Sequence, residues 1–175
     1  MTTIRYNSLT TMMGVVVTPN RQDRMNQSRV CVNKTDGGVM AGEVINPFMP
    51  KALPFADIAE MLSSLELVMD TLGFPQKYHQ HRTFRPAMPQ EREEREGGAI
   101  RYMDEKSFEK TSGKKSTFIV QVQFRQNATW QGTITWTEKK KEQRFRSTLE
   151  MIKLMSDAVE EAEIDQAPMA DWEEK

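Results

Sequence analysis

The chain has little of what most catalytic and metal-binding sites are made from. It carries one cysteine and two histidines in 175 residues. A single thiol, Cys31, excludes a disulfide framework within the chain and a cysteine-rich zinc site. The histidines, His79 and His81, alternate on a polar stretch. Two ligands with no thiol nearby make at best a weak metal site, and a solvated pair is the simpler reading. No G-x-S-x-G, P-loop, H-E-x-x-H or glycine-rich dinucleotide fingerprint occurs. The carboxylates of Glu91, Glu93, Glu94 and Glu96 are interleaved with Arg92 and Arg95, which is the look of solvated charge rather than of a paired acid and base. An enzyme is not expected, and no cofactor is implied. Long apolar runs are missing too: nothing approaches the roughly 20 residues of a membrane helix. Met1 is followed by polar residues rather than by a basic and then an apolar stretch, so no signal peptide is expected. Together these absences point to a soluble cytoplasmic protein.

What is present is alternation. In Phe118–Arg125 every second residue is large and apolar, the mark of a strand with one buried face. Thr129–Thr137 repeats the pattern, with Trp130, Ile134 and Trp136 inward. Arg125-Gln126-Asn127-Ala128 reads as the turn between them. Glu142–Arg146 is a third strand with Phe145 inward. The period then changes. Ser147-Thr148-Leu149-Glu150 has the form of a capping box, and Leu149, Ile152, Met155 and Val159 follow at helical spacing.

A fainter copy lies 90 positions earlier, without a gap. Val120 and Val122 correspond to Val30 and Val32, Gly132 to Gly42, Ile134 to Val44 and Phe145 to Phe55. Ser147 and Glu150 correspond to Asp57 and Glu60, a second cap, and Met155 to Leu65. A shared glycine, pre-helix phenylalanine and cap at one offset point to an internal duplication. Units of about 45 residues lie near the lower limit for a self-sufficient core, so the two should pack together. The expected fold is α+β: two β-hairpin-plus-helix units in a pseudo-twofold repeat, with the helices on one face of an antiparallel sheet. Strands within 29–46 and 117–146 should form the sheet, and helices 57–72 and 147–162 should cover its inner face. The expected core comprises Phe55, Leu62, Leu65, Phe124, Trp130, Trp136, Phe145, Ile152 and Met155.

By organisation, residues 1–75 hold the N-terminal hairpin–helix unit, with a further strand expected at Met12–Val17. Pro47, Pro50 and Pro54 interrupt the place of its third strand, which is therefore an edge or a loop. Residues 76–115 lack periodicity and read as a charged linker with one short element near 99–103. Residues 116–163 form the C-terminal three-strand–helix unit, and 164–175 an acidic tail with Trp172 near its end. Residues 156–175 hold eight acidic residues and one basic, a net charge of −7, which leaves +6 on the other 155. Such asymmetry marks a charged tail on a domain with a basic partner surface.

Two features suit binding. The first is the outer sheet face, with Gln121, Gln123, Arg125, Gln131, Thr133, Thr135, Arg144 and Arg146. It is a polar surface whose amide, hydroxyl and guanidinium donors could hold a phosphate backbone. No outward aromatic is expected on it, which argues against a stacking platform for single strands. An ordinary solvated sheet face is the simpler alternative. The second is the basic–aromatic run from Lys77 to Arg85, with Tyr78 and Phe84 among Lys77, Arg82 and Arg85. The expected contact set is Arg125, Lys139, Lys140, Lys141, Arg144 and Arg146, joined by Lys77, Arg82 and Arg85, with the tail carboxylates secondary. No metal site is expected.

The run Phe124–Trp136, Phe124-Arg125-Gln126-Asn127-Ala128-Thr129-Trp130-Gln131-Gly132-Thr133-Ile134-Thr135-Trp136, with Phe145-Arg146-Ser147 and the following helix, resembles a family of small proteins of bacterial mobile elements. In size and layout it is similar to type II-A anti-CRISPR proteins of gut bacteria. The resemblance covers about the last 50 residues. It implies a non-enzymatic inhibitor that binds a type II RNA-guided CRISPR nuclease, with double-stranded DNA as a candidate second partner, and blocks target engagement. The alternative is a DNA-binding accessory protein of a mobile element. Neither implies a membrane.

Overall fold

The computed structural model describes residues 25–77, 100–126 and 129–166. Six strands occur among them: β1 (Gln27–Asp36), β2 (Val39–Ile45), β3 (Leu53–Phe55), β4 (Ser116–Gln126), β5 (Thr129–Trp136) and β6 (Lys141–Phe145). Three helices accompany them: α1 (Ile58–Leu72), α2 (Glu105–Lys110) and α3 (Thr148–Gln166). The strands form one sheet in the order β3-β2-β1-β4-β5-β6, with every neighbouring pair antiparallel. The class is α+β, as expected. No helix among the described residues is long and apolar enough to cross a membrane. The expected strand at Met12–Val17, the histidines and Trp172 lie outside the described residues.

The inner face follows from the alternation. Val30, Val32 and Val44 on one side, and Phe118, Val120, Ile134 and Trp136 on the other, enter a single buried cluster. Two helices close it. α1 contributes Met61, Leu65, Val68 and Met69; α3 contributes Met151, Met155, Ala158 and Val159. Each such fully buried apolar side chain stabilises the fold by roughly 1.5–3 kcal/mol before ordering costs. α1 starts at an Asp57 cap, whose carboxylate accepts from the Glu60 amide at 2.8 Å. It stops at Gly73, which takes φ 64° and turns the last carbonyls back onto the chain.

Structural details recur at the same offset of 90. Gly42 pairs with Phe55 and Gly132 with Phe145. The β1–β2 ladder shifts between Val32 and Lys34, and the β4–β5 ladder between Val122 and Phe124. A Cβ on Gly42 would stand 1.9 Å from the Cys31 carbonyl oxygen, and one on Gly132 would stand 2.0 Å from that of Gln121. Ser147 Oγ accepts from the Glu150 amide at 3.1 Å, and Glu150 accepts in turn from the Arg146 amide at 2.7 Å. Glu60 does the same for the Ala56 amide at 2.8 Å.

Four expectations need correction. Phe124 is not core: it is 51% exposed, whereas Arg125 is 6% exposed. The β4 shift inserts Gln123 as an extra residue, so Phe124 faces Gln131 on the outer side and Arg125 faces Trp130 on the inner side. On α3 the buried stripe begins at Met151, leaving Leu149 61% exposed. Leu62 and Ile152 are only partly buried. Residues 100–115, read as linker, carry α2 at Glu105–Lys110 rather than an element near 99–103, and they pack on the sheet. The proline-bearing segment does form an edge strand: β3 is three residues long and pairs with β2 alone.

Candidate functional site

The outer face of the sheet divides into a covered half and an open half. Over β1 and β2 the outward residues include Cys31 and Ile45, both buried beneath Phe108 of α2 with Met103 and Ala52 packed alongside. Main-chain bonds pin this cover: Tyr102 and Met103 donate to the Pro47 carbonyl at 2.8 and 3.1 Å, and Lys115 donates to Val32 at 2.9 Å. Arg29 lies under it, 7% exposed, with its guanidinium 5.3 Å from the Phe108 ring centre and Nη1 donating to the Thr111 carbonyl. Burial pushes the Cys31 thiol up to about 11, with Glu43 reinforcing the shift and Arg29 opposing it. The thiol is therefore protonated and inert at neutral pH.

Composition decides the division. At the offset of 90, Cys31 becomes Gln121, Ile45 becomes Thr135 and Glu43 becomes Thr133. A polar outward row has no need of a cover, and the β4–β6 half has none among the described residues. Gln121 accepts from Gln27 at 3.3 Å, and Thr135 donates to Glu142 at 3.1 Å. Arg144 lies opposite Thr133. Phe124 stands outward at one end of this surface. The sequence pattern missed it because strict alternation carries it inward. The structure shows the cause: Gln126 lies opposite Thr129, a register one residue out of step with Val122 opposite Gly132.

The expected basic set does not act as one patch. Arg125 turns inward under α1, where Nη1 donates to Asp70 at 2.7 Å and Nη2 to Glu66 at 3.0 Å, with its side chain 4% exposed. Lys77 joins the same two carboxylates at 2.8 Å each. Burial pulls its pKa down, but the hydrogen bonds it donates to Asp70 and Glu66 outweigh this and leave it raised. Lys139 pairs with Asp165 and Lys141 with Glu161, both on α3, while both ammonium groups lie within 6 Å of the Trp136 ring centre. Arg146 reaches Glu150 at 3.4 Å. Lys140 and Arg144 make no ion pair with a described residue. Arg82 and Arg85 lie outside the described residues.

The acidic residues of α3 thus neutralise much of the basic hairpin beside them. Among the described residues no group of three or more His, Cys, Asp or Glu side chains is placed to hold a metal ion. What the arrangement offers chemically, among the described residues, is hydrogen-bond donors and acceptors on the sheet face, the outward ring of Phe124 and the guanidinium of Arg144, which makes no ion pair there. Comparison with protein-family models, with curated proteins and with solved structures returned no match.

Proposed function

We propose that the protein acts by binding a macromolecule through the open half of its outer sheet face, without catalysis. The observation that carries this reading is the contrast between the two halves. One is sealed by α2 and its flanks; the other presents Gln121, Gln131, Thr133 and Arg144 beside a half-exposed Phe124. The target we assign is a type II RNA-guided nuclease, which the protein inhibits by blocking engagement of target DNA. The choice of target is supported by the resemblance of the Phe124–Trp136 run and its helix to small proteins of bacterial mobile elements, and by the similarity in size and layout to type II-A anti-CRISPR proteins. We further propose that the chain is a tandem duplication of a three-strand–helix unit with pseudo-twofold symmetry. Its support is the shared offset of the ladder shifts, the crowded glycines and the helix caps.

A second reading is favoured by one observation. Phe124 supplies the outward aromatic on which a base can stack, so a nucleic-acid-binding accessory protein of a mobile element fits the same face. A pull-down from nuclease-free and nuclease-containing extracts, followed by a salt titration with purified components, separates the two. The inhibitor captures the purified nuclease in the absence of DNA. A nucleic-acid-binding protein instead binds DNA alone, with affinity falling steeply as salt rises. Capture of neither overturns both.

A further inference from the structure

The two edges of the sheet are built differently. β3 is three residues long and carries Pro54, whose missing N–H blunts that edge. β6 closes the other side of the sheet, has no proline, and exposes Lys141, Glu142, Gln143 and Arg144. Among the described residues no strand pairs with its outer side, so it presents unpaired backbone donors and acceptors there. Its charges are of mixed sign, the acid Glu142 before Gln143 and the base Arg144 after it.

We propose that β6 is a self-recognising edge: two copies of this chain pair β6 to β6, antiparallel, about a twofold axis through Gln143. Side-chain parity and charge select this register. Thr133 and Thr135 face outward, so Arg144 and Glu142 opposite them do too, while Gln143 faces inward with Ile134. A twofold axis perpendicular to the sheet keeps inner faces inner, so a residue can lie opposite only one of its own parity. Centring on Gln143 sets Glu142 against Arg144 of the second copy, twice, and gives Arg144 an ion-pair partner that it lacks among the described residues. Centring on Glu142 or on Arg144 sets like charges opposite each other, which is unfavourable. On the inner side of the same edge lies a cleft of about 150 Å³, lined by the apolar Ile134, Trp136 and Leu154 and by the charged Lys141, Asp157 and Glu161, with Gln143 beside them. In the pair the two clefts abut at the axis, so that their apolar walls are withdrawn from water. The outer faces of the two β4–β6 halves join into one surface, with Arg144 of each copy near its middle. The pairing itself is independent of which macromolecule that surface takes.

The test combines association with register. Sedimentation equilibrium of the full chain, from micromolar to millimolar concentration, should show a reversible dimer. Arg144→Glu should weaken it roughly tenfold or more, since both cross-strand pairs become repulsive. The charge swap Glu142→Arg with Arg144→Glu should restore it. In a Cys31→Ala background under mild oxidation, Gln143→Cys should crosslink two chains, because a residue on the axis lies opposite its own copy within disulfide reach. Glu142→Cys and Arg144→Cys should not, each being displaced along the strand from its own copy. Far-ultraviolet circular dichroism checks each variant, and the crosslinking arm decides if a charge variant fails to fold. A monomer at every concentration, a dimer indifferent to Arg144→Glu, or crosslinking through position 142 or 144 in preference to 143 overturns the proposal.

Discussion

Arg125 Nη1 lies 2.7 Å from Asp70 Oδ1, joining the end of β4 to a helix fifty-five positions earlier in the chain. The contact ties the two halves together. At the offset of 90 from Arg125 stands Thr35, on β1, whose hydroxyl donates to Glu163 on α3. Each half therefore reaches across to the other half's helix. The Arg125 link is the stronger because its cation is buried while Glu66 and Asp70 keep 32% and 46% exposure. Arg125→Met should cost about 1–3 kcal/mol, below the figure for a fully buried pair because Lys77 still holds Glu66 and Asp70 and both carboxylates reach water. Urea unfolding measures it. Arg125→Glu should cost more, and any loss of binding in that variant should track the loss of fold.

Cys31 should resist modification. In native protein near pH 8 the thiol should not react with a disulfide reagent, and it should become reactive on unfolding. Phe108→Ala, which opens the cover, should cost about 3 kcal/mol and expose the thiol without denaturant. The pH dependence follows from the sign of the shift. Because the native state holds the proton up to about 11 against an ordinary value of 9.0, this contribution is intact below pH 9 and fades as pH rises from 9 through 11. Comparing Cys31→Ala with the parent over that window isolates the effect. The parent should lose on the order of 2–3 kcal/mol more than the variant.

The two crowded glycines make a paired test of the duplication. Gly42→Ala and Gly132→Ala each drive a Cβ into a backbone carbonyl across the bulge. Backbone cannot step aside as a flexible side chain can, so each should cost about 3 kcal/mol or more. The two costs should be similar. A large cost at one site and none at the other would argue against equivalent units.

The caps should behave likewise. Asp57→Ala and Ser147→Ala each remove the acceptor for an amide in the first turn and should each cost about 1 kcal/mol in thermal or urea unfolding. Beside the second cap, the Arg146 amide and then its side chain hold the Glu150 carboxyl below the usual range. Stability from that contact is present above the ordinary carboxylate pKa and is lost as pH falls through the depressed value. Glu150→Gln should flatten the acid limb of the stability profile.

Much of the fold was legible because local signals agreed. Alternation placed both hairpins, and the caps at Asp57 and Ser147 placed the starts of α1 and α3. The site was less legible, for two physical reasons. A bulge leaves no mark in the balance of apolar and polar residues, so one inserted residue at Gln123 exchanged the faces of Phe124 and Arg125 without disturbing the strand pattern. α2 is six residues long, too short to be stable by itself. It exists because Phe108 seats on Cys31 and Ile45, a contact between segments about 77 and 63 positions apart that no local window contains. The charges misled for a related reason: Lys139 and Lys141 look like free basic residues until the last turns of α3 return Asp165 and Glu161 beside them.

The central claim, that the open half of the sheet is the binding face, is tested most directly by titrating a purified type II nuclease, without target DNA, with the wild-type chain and with the double variant Phe124→Ala, Thr133→Glu. Both side chains sit on that face and outside the buried core, so the unfolding midpoint should hold while the affinity for the nuclease falls at least about tenfold, the scale on which a few central contacts dominate an interface. Binding and inhibition at wild-type strength by a properly folded double variant would contradict the account.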